Sequence, residues 1–369
     1  MKTKTFILSI LAVTTLSIEP LYHLDTDWSP SFPPGSHTYS AVGVYKNSIF
    51  VTQRGNSTIP PVIEVSKING TTLANWGEND IGIAHPGKTW GAHGLTIESC
   101  NYRCVPDEDF YPFMRVWVED FTNHTLTAFT HNGKKIVQVG TPGIAGNSTS
   151  PPQFDHIADA YVVSGGVTAV LSELPSDIYV SDGDGGYANR VMKIIVPPVE
   201  NNNIKPYVDW ATGHVFDNPH SITMHKKSQL LIVADREQQA IKLIVSKTGQ
   251  VLEGNYNCGL HFGINGGVPF GVRTYNDDDD DLLFIASMDN PQDHMHQKIT
   301  VIDISNLNYE DGTSSKYSII QTIQINPKQY SGPHLMGIDP SNGDIYAALV
   351  ADQPLSTVLR FTRTSFNGN

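Results

Sequence analysis

Three histidines stand at the start of three similar hydrophobic segments. They are His93 of HGLTIE (93–98), His220 of PHSITM (219–224) and His334 of PHLMGID (333–339). In each, Gly or Pro lies beside the His and a strand-like apolar run follows. A single His at such a place is usually a hydrogen-bonded lining residue. Three at equivalent openings are what a transition metal with an open coordination position needs.

Something must bring them together, and the chain carries a repeat that does so. Helical periodicity is nearly absent. Short β-branched and aromatic runs alternate with Gly, Pro, Asn and Asp, the pattern of an all-β chain. One strand recurs six times: SIFVTQR (48–54), RVWVEDF (115–121), DIYVSDG (177–183), LLIVADR (230–236), LLFIASMD (282–289) and DIYAALV (344–350). The spacing of roughly 50–65 residues lies in the range of four-stranded propeller blades. Each is preceded by another apolar run: YSAVGV (39–44), HGLTIE, IADAYV (157–162), PHSITM, FGVRTY (270–275) and HLMGID (334–339). A third run follows in several repeats, such as LTAFT (126–130) and VMKIIV (191–196). Six units predict a single six-bladed β-propeller over residues 18–369, with no second domain.

In a propeller the first strand of each blade lines the central channel. His93, His220 and His334 belong to the first strands of repeats two, four and six. Alternate blades of a six-fold ring stand about 120° apart, which suits facial coordination of one ion on the axis. The Asp and Asn residues that close the second-to-third-strand hairpins, such as Asp120, Asp182 and Asp235, are expected to bind their own turns.

The bulk numbers exclude some partners. The chain has 369 residues, 39% hydrophobic and 17% charged, with a net charge of −13. That argues against nucleic acid and anionic membrane surfaces. Residues 1–17 read as a secretory signal. Lys2 and Lys4 precede the apolar stretch Phe6–Leu16, and Thr15-Leu16-Ser17 offers small residues for cleavage. That stretch is too short to span a bilayer, and no later segment looks transmembrane. Four Asn-x-Ser/Thr sequons, at Asn56, Asn69, Asn123 and Asn147, agree with a secreted glycoprotein. Cys100 and Cys104 are close enough for a local disulfide, leaving Cys258 as the odd thiol. The acidic run Asp277–Asp281 reads as a solvated hairpin tip with weak calcium attraction, and His294 and His296 as surface residues. No phosphate loop, nucleophile elbow or dinucleotide fingerprint stands out. A monomer is expected. Its ligand is a peptide or small molecule at the channel mouth, or a protein or glycan on the propeller face.

VEDFTNHTLTAF (118–129) and VADREQQAIKL (233–243) resemble NHL repeats. YHLDTDW (22–28), QVGTPG (138–143), PPQFD (151–155), NPHSIT (218–223) and PHLMGID extend the resemblance over nearly the whole mature chain, to the secreted NHL repeat-containing protein 3 family. More distantly, the chain looks like the lyase domain of the peptide α-amidating enzymes. That domain cleaves peptidyl-α-hydroxyglycine to a peptide amide and glyoxylate. The resemblance implies zinc on His93, His220 and His334, and a catalytic arginine at Arg54 of QRG. It also implies a catalytic tyrosine after the SDG of the third blade, where SDGDGGYANR makes Tyr187 the candidate. In that reading zinc holds the substrate hydroxyl and carboxylate, Tyr187 removes the hydroxyl proton, and Arg54 pairs with the carboxylate. Several positions depart from the lyase pattern. Gly332 stands where the lyase has a methionine. Leu335 replaces an acid that helps hold calcium, which argues against calcium there. Ile232, Leu243 and Ala188 replace cysteines. The Gly332 and Leu335 departures, and the DGG insertion before Tyr187, favour the alternative of a non-catalytic binding propeller.

Overall fold

The computed structural model describes residues 20–84, 89–98, 114–164, 175–197, 205–252, 267–277, 280–288, 297–307, 317–350 and 355–364. The proposed signal (1–17), the three cysteines, Asp278, Asp279, His294 and His296 lie outside them. Strands dominate the described residues, and six antiparallel sheets form the blades of a propeller.

Blade one is Tyr39–Tyr45, Ser48–Gln53, Val62–Ser66 and Thr72–Trp76. Blade two is Ala92–Glu98, Arg115–Asp120, Thr125–Phe129 and Lys135–Val139. Blade three is Ile157–Val163, Ser176–Asp182, Arg190–Val196 and Tyr207–Ala211. Blade four has three strands among the described residues, Pro219–His225, Leu230–Asp235 and Ala240–Val245. Blade five is Val268–Asn276, Asp281–Met288, Gln297–Asp303 and Ser318–Ile325. Blade six is Pro333–Ile338, Ile345–Leu349 and Val358–Arg363, completed on its outer edge by the N-terminal strand Tyr22–Leu24. Tyr22 pairs with Arg363, so the two ends of the chain close the ring together.

Burial follows from this stacking. Second strands are covered on both faces by neighbouring blades, so Ser48–Gln53, Arg115–Asp120 and Leu230–Asp235 are buried throughout. Outer strands face solvent on one side, and Thr72–Trp76 and Tyr207–Ala211 alternate in burial. The six inner strands each touch the next around the channel. The approach is close: a Cβ at Gly271 would collide with the backbone oxygen of His334.

The Asp residues at the second-strand ends are structural, as their sequence context implies. Asp120 accepts the N–H groups of Thr122 and Asn123 in its own turn. Asp182 and Asp235 reach further, to the loops entering their blades, accepting from Asp155 and His156 and from Asp217 and Asn218 respectively. Of the sequon asparagines, Asn69 and Asn147 are exposed, and Asn56 and Asn123 are half-buried. No described helix is long and apolar enough to cross a membrane.

One buried carboxyl in the ring is without support. Glu119 of blade two is fully buried, and neither carboxyl oxygen has a hydrogen-bond partner. Burial, reinforced by the charge of Asp159, pushes its carboxyl well above the ordinary value of 4.5. An acid raised in the folded state makes folding less favourable as pH rises past its unfolded value. Glu119→Gln, which mimics the protonated form, is therefore expected to gain on the wild type by about 1–3 kcal/mol between pH 5 and pH 8. Urea unfolding at the two pH values measures it. A difference that does not change with pH would show that Glu119 is ionised in the fold.

Candidate metal centre at the channel mouth

The six inner strands begin with the same irregularity. In every blade the pairing of first and second strand slips by one residue, and the residues at the slip include Ser40, His93, Ala158, His220, Phe270 and His334. A β-bulge re-aims a side chain and leaves its backbone carbonyl free of the ladder. Here the six bulges form a ring at one end of the channel. Imidazoles stand on blades two, four and six. Free carbonyls face them from blades three, five and one.

Each imidazole uses the carbonyl of the following blade. His93 Nδ1 lies 2.7 Å from Ala158 O, His220 Nδ1 2.7 Å from Phe270 O, and His334 Nδ1 2.7 Å from Ser40 O. A carbonyl only accepts, so each Nδ1 carries the proton and donates it. In the neutral ring Nε2 is then a free lone pair. The three rings pack edge to face, with centroids 4.8–5.0 Å apart, and all three are buried. One ligand atom from each lies within 4.8 Å of the others. Burial pulls the His220 imidazole down to about 3 and holds His334 well below the ordinary range. A zinc ion takes oriented imidazoles in their neutral form, and a backbone carbonyl fixes the orientation of each ring here. His220 Nε2 has no hydrogen-bond partner. A buried nitrogen left this way is costly without an ion or proton to meet it, so the donor set fits the zinc that the sequence implies.

Above the bulges lies a second ring, from residues that immediately follow the second strands. Arg54 follows Ser48–Gln53, Phe121 follows Arg115–Asp120, and Arg236 follows Leu230–Asp235. The Arg54 guanidinium lies 4.5 Å over the Phe121 ring, whose centroid is 6.2 Å from that of His93. Burial lowers the Arg54 guanidinium, opposed by the charges of Asp184 and Asp120. Asp182 pairs with Arg190 and not with Arg54. The loop carrying Arg54 is fixed by Gln53 Nε2 and Trp90 Nε1, both donating to the carbonyls of Asn56 and Ile59.

Two residues of this site escaped the sequence reading. Asp184 Oδ2 lies 3.0 Å from His93 Nε2, and Oδ1 lies 3.8 Å from His220 Nε2. Arg236 Nη1 donates to Asp184 Oδ1 at 2.7 Å, and its guanidinium lies 5.3 Å over the Phe270 ring. The Asn218 amide, oriented to satisfy both its ends, accepts from Arg236 Nη2 at 2.7 Å and donates to Gly183 O at 3.3 Å. Burial would raise the Asp184 carboxyl, but His93, His220 and Arg236 together hold it well below the usual range. The signal for Arg236 was available, since it occupies the repeat position of Arg54. Asp184 depends on the path of a loop. Tyr187, the tyrosine singled out from sequence, is 58% exposed, and its backbone N–H is given to Asp155 Oδ2. So the SDG run delivers Asp184 to the histidines. Gly332 packs against Met288, and Leu335 lies in the core beside blades one and two.

The far end of the channel opens into a cavity of about 440 Å³ lined by all six blades, Val44, Thr96, Tyr161, Thr223, Arg273 and Ile338 among them. Arg273 is already held by both carboxylate oxygens of Asp159.

The chain is 27% identical over 348 residues to human NHL repeat-containing protein 3, spanning 91% of this chain and 84% of that protein. The mouse protein of that name is 26% identical over 341 residues, spanning 89% and 82%. No family model matches the chain. Among solved structures, the PQQ-bound form of aldose sugar dehydrogenase from Streptomyces coelicolor superposes with a TM-score of 0.51 at 10% identity, over 92% of this chain and 97% of that one. That likeness concerns the propeller fold alone.

Proposed function

We propose, for a chain that belongs with the NHL repeat-containing protein 3 family, that the channel mouth holds one zinc ion and receives the carboxylate end of a peptide-like ligand beside it. The observation that carries this reading is the convergence of three buried imidazoles, each with Nε2 freed by an Nδ1–H bond to the next blade. His93, His220 and His334 would hold the ion. When bound, it supplies a Lewis-acidic charge that acidifies and orients a hydroxyl at neutral pH.

The rest is supplied by the protein. Arg54 has no hydrogen bond or ion pair to its guanidinium among the described residues, so its fork is free to take a carboxylate in a bidentate pair. Phe121 holds the plane of that fork. Burial of the cluster keeps water from competing for these groups. This set suits the lyase reaction that the distant resemblance implies. A base takes the proton of an α-hydroxyl, the hydroxyl oxygen forms the carbonyl of glyoxylate, the carbon–nitrogen bond breaks, and the nitrogen is protonated as it leaves as an amide. Asp184 is the described carboxylate nearest to the histidines.

A second reading, a non-catalytic propeller that binds a peptide, glycan or protein, is favoured by the exposure of Tyr187 and by the carboxylate already beside the histidines. Either reading includes secretion of a glycosylated monomer after loss of residues 1–17. The exposed sequons at Asn69 and Asn147 support it.

Metal analysis of the purified protein after zinc loading and dialysis is expected to give one equivalent per chain, with glyoxylate released from a peptidyl-α-hydroxyglycine. Bound zinc without glyoxylate selects the binding reading. A chain that retains no zinc after loading overturns the metal reading.

A further inference from the structure

We propose that Asp184 is itself a metal ligand, a fourth protein donor that closes the axial site with a carboxylate from blade three. The inference rests on the metal reading above and adds to it: the ion's fourth position is occupied by the protein, and an incoming ligand must displace Asp184 to reach it.

The chemistry of the pair argues for this. His93 Nδ1 donates to Ala158 O, so in the neutral form of the ring a bare Nε2 faces Asp184 Oδ2 at 3.0 Å. Two acceptors at that distance repel unless a cation stands between them. A proton on His93 would satisfy one such contact. It would leave His220 Nε2, fully buried, 3.8 Å from the other oxygen and without a hydrogen-bond partner. A single ion meets both nitrogens and the carboxylate at once. Donors held about 2.1 Å from one tetrahedral ion stand about 3.4 Å from each other. The two observed separations bracket that value.

The position of Asp184 is built. The N–H groups of Gly183 and Asp184 both donate to His156 O. Asp155 Oδ2 accepts from Tyr187 and Ala188, closing the loop on its other side. A side chain at Gly186 would collide with that same Asp155 carboxylate, so the turn needs glycine there. The DGG residues thus aim one carboxylate at the histidines. Arg236 grips the Asp184 oxygen further from His93, and Asn218 ties Arg236 back to Gly183. A ligand bearing its own carboxylate has Arg54 to enter by, while Arg236 retains the displaced Asp184.

The test is zinc affinity by chelator competition, together with the visible spectrum of the cobalt(II)-substituted protein. Asp184→Ala is expected to bind zinc about 100-fold more weakly or worse, beyond the roughly 10–100-fold loss typical of a residue that only orients a ligand. In the wild type, azide is expected to leave the cobalt spectrum unchanged, because no position is open. In Asp184→Ala it is expected to shift the spectrum. Asp184→Asn, which keeps the side-chain volume, repeats the comparison should the alanine variant fold poorly. Zinc affinity within about threefold of wild type in both variants, or azide perturbing the wild-type cobalt spectrum, overturns the role of Asp184 and leaves the three-histidine site standing. Absence of metal binding by the wild type itself overturns the metal reading instead.

Discussion

Replacing His220 with alanine is expected to weaken zinc binding by about 100–1,000-fold. Structural zinc sites contribute about 10–16 kcal/mol in total. Shared among four donors that is roughly 2.5–4 kcal/mol each, or two to three powers of ten. The loss should appear in chelator competition and, for the folded protein, in heat. An ion present at 1,000 times its dissociation constant adds about 4 kcal/mol to unfolding, and one at about 1–10 times adds only about 0.4–1.4 kcal/mol, so chelation should lower the wild-type melting temperature far more than that of His220→Ala. Equal zinc affinity in the two proteins would remove His220 from the site. The metal-free protein offers a second readout. Burial brings the His220 imidazole down to about 3, against the pull of Asp184 and with His93 and Arg236 adding to the lowering. The unfolded chain takes that proton near 6.5, so between 6.5 and 3 the folded state binds fewer protons. The stability tied to the neutral ring is complete above about pH 6.5 and declines as pH falls through that window, by up to about 1.4 kcal/mol per pH unit for one proton. His334 acts in the same direction. Alanine at 220 should make the acid limb of the metal-free protein shallower by one proton.

The site is a product of the repeat. Every blade of this propeller has a bulge at the start of its inner strand, and what differs is the residue placed there. Histidine on alternate blades makes each imidazole face a bulge whose carbonyl is unused. That pairing solves two problems together: it satisfies the free carbonyls of blades one, three and five, and it fixes Nε2 toward the axis. The same logic builds the outer ring, where residues following the second strands place Arg54 and Arg236 over Phe121 and Phe270.

This explains what was legible in the chain. The histidines could be found because HGLTIE, PHSITM and PHLMGID repeat both the residue and its strand context, and the ring symmetry converts repeat number into angle. Arg54 was found through QRG. Arg236 was read only as part of the VADR strand, although it holds the equivalent position in blade four. Asp184 was not legible, because its direction is set by three glycines and by hydrogen bonds that the loop N–H groups donate to Asp155 and His156, which lie 27 or more residues earlier. No spacing rule carries a loop's path. The closing strand was likewise hidden. YHLDTDW has strand character, but its partner is Arg363, at the other end of the chain.

That closure predicts the largest stability effect outside the site. Tyr22→Ala is expected to cost about 3–5 kcal/mol, the range for losing a buried aromatic ring. Tyr22 is 1% exposed and packs edge-on against Phe284 of blade five at 5.6 Å. Its backbone pairs with Arg363 of blade six, while the Gln321 amide of blade five both accepts from its N–H and donates to its C=O, each at 2.8 Å. One residue thus joins the outer strand of blade five to the edge of blade six, and the ring lacks a second clasp of this kind among the described residues. Alanine keeps the backbone bonds and removes the ring, opening a cavity between two blades that cannot collapse without breaking the sheet. The phenolic oxygen is a separate matter. It is buried with no hydrogen-bond partner, and burial raises its ionisation far above the ordinary value. Tyr22→Phe removes that unsatisfied hydroxyl and keeps the ring, so it should be neutral or stabilising by up to about 1 kcal/mol. Urea unfolding of the two variants separates the contributions. A phenylalanine variant as unstable as the alanine one would mean that the hydroxyl, and not the ring, holds the closure.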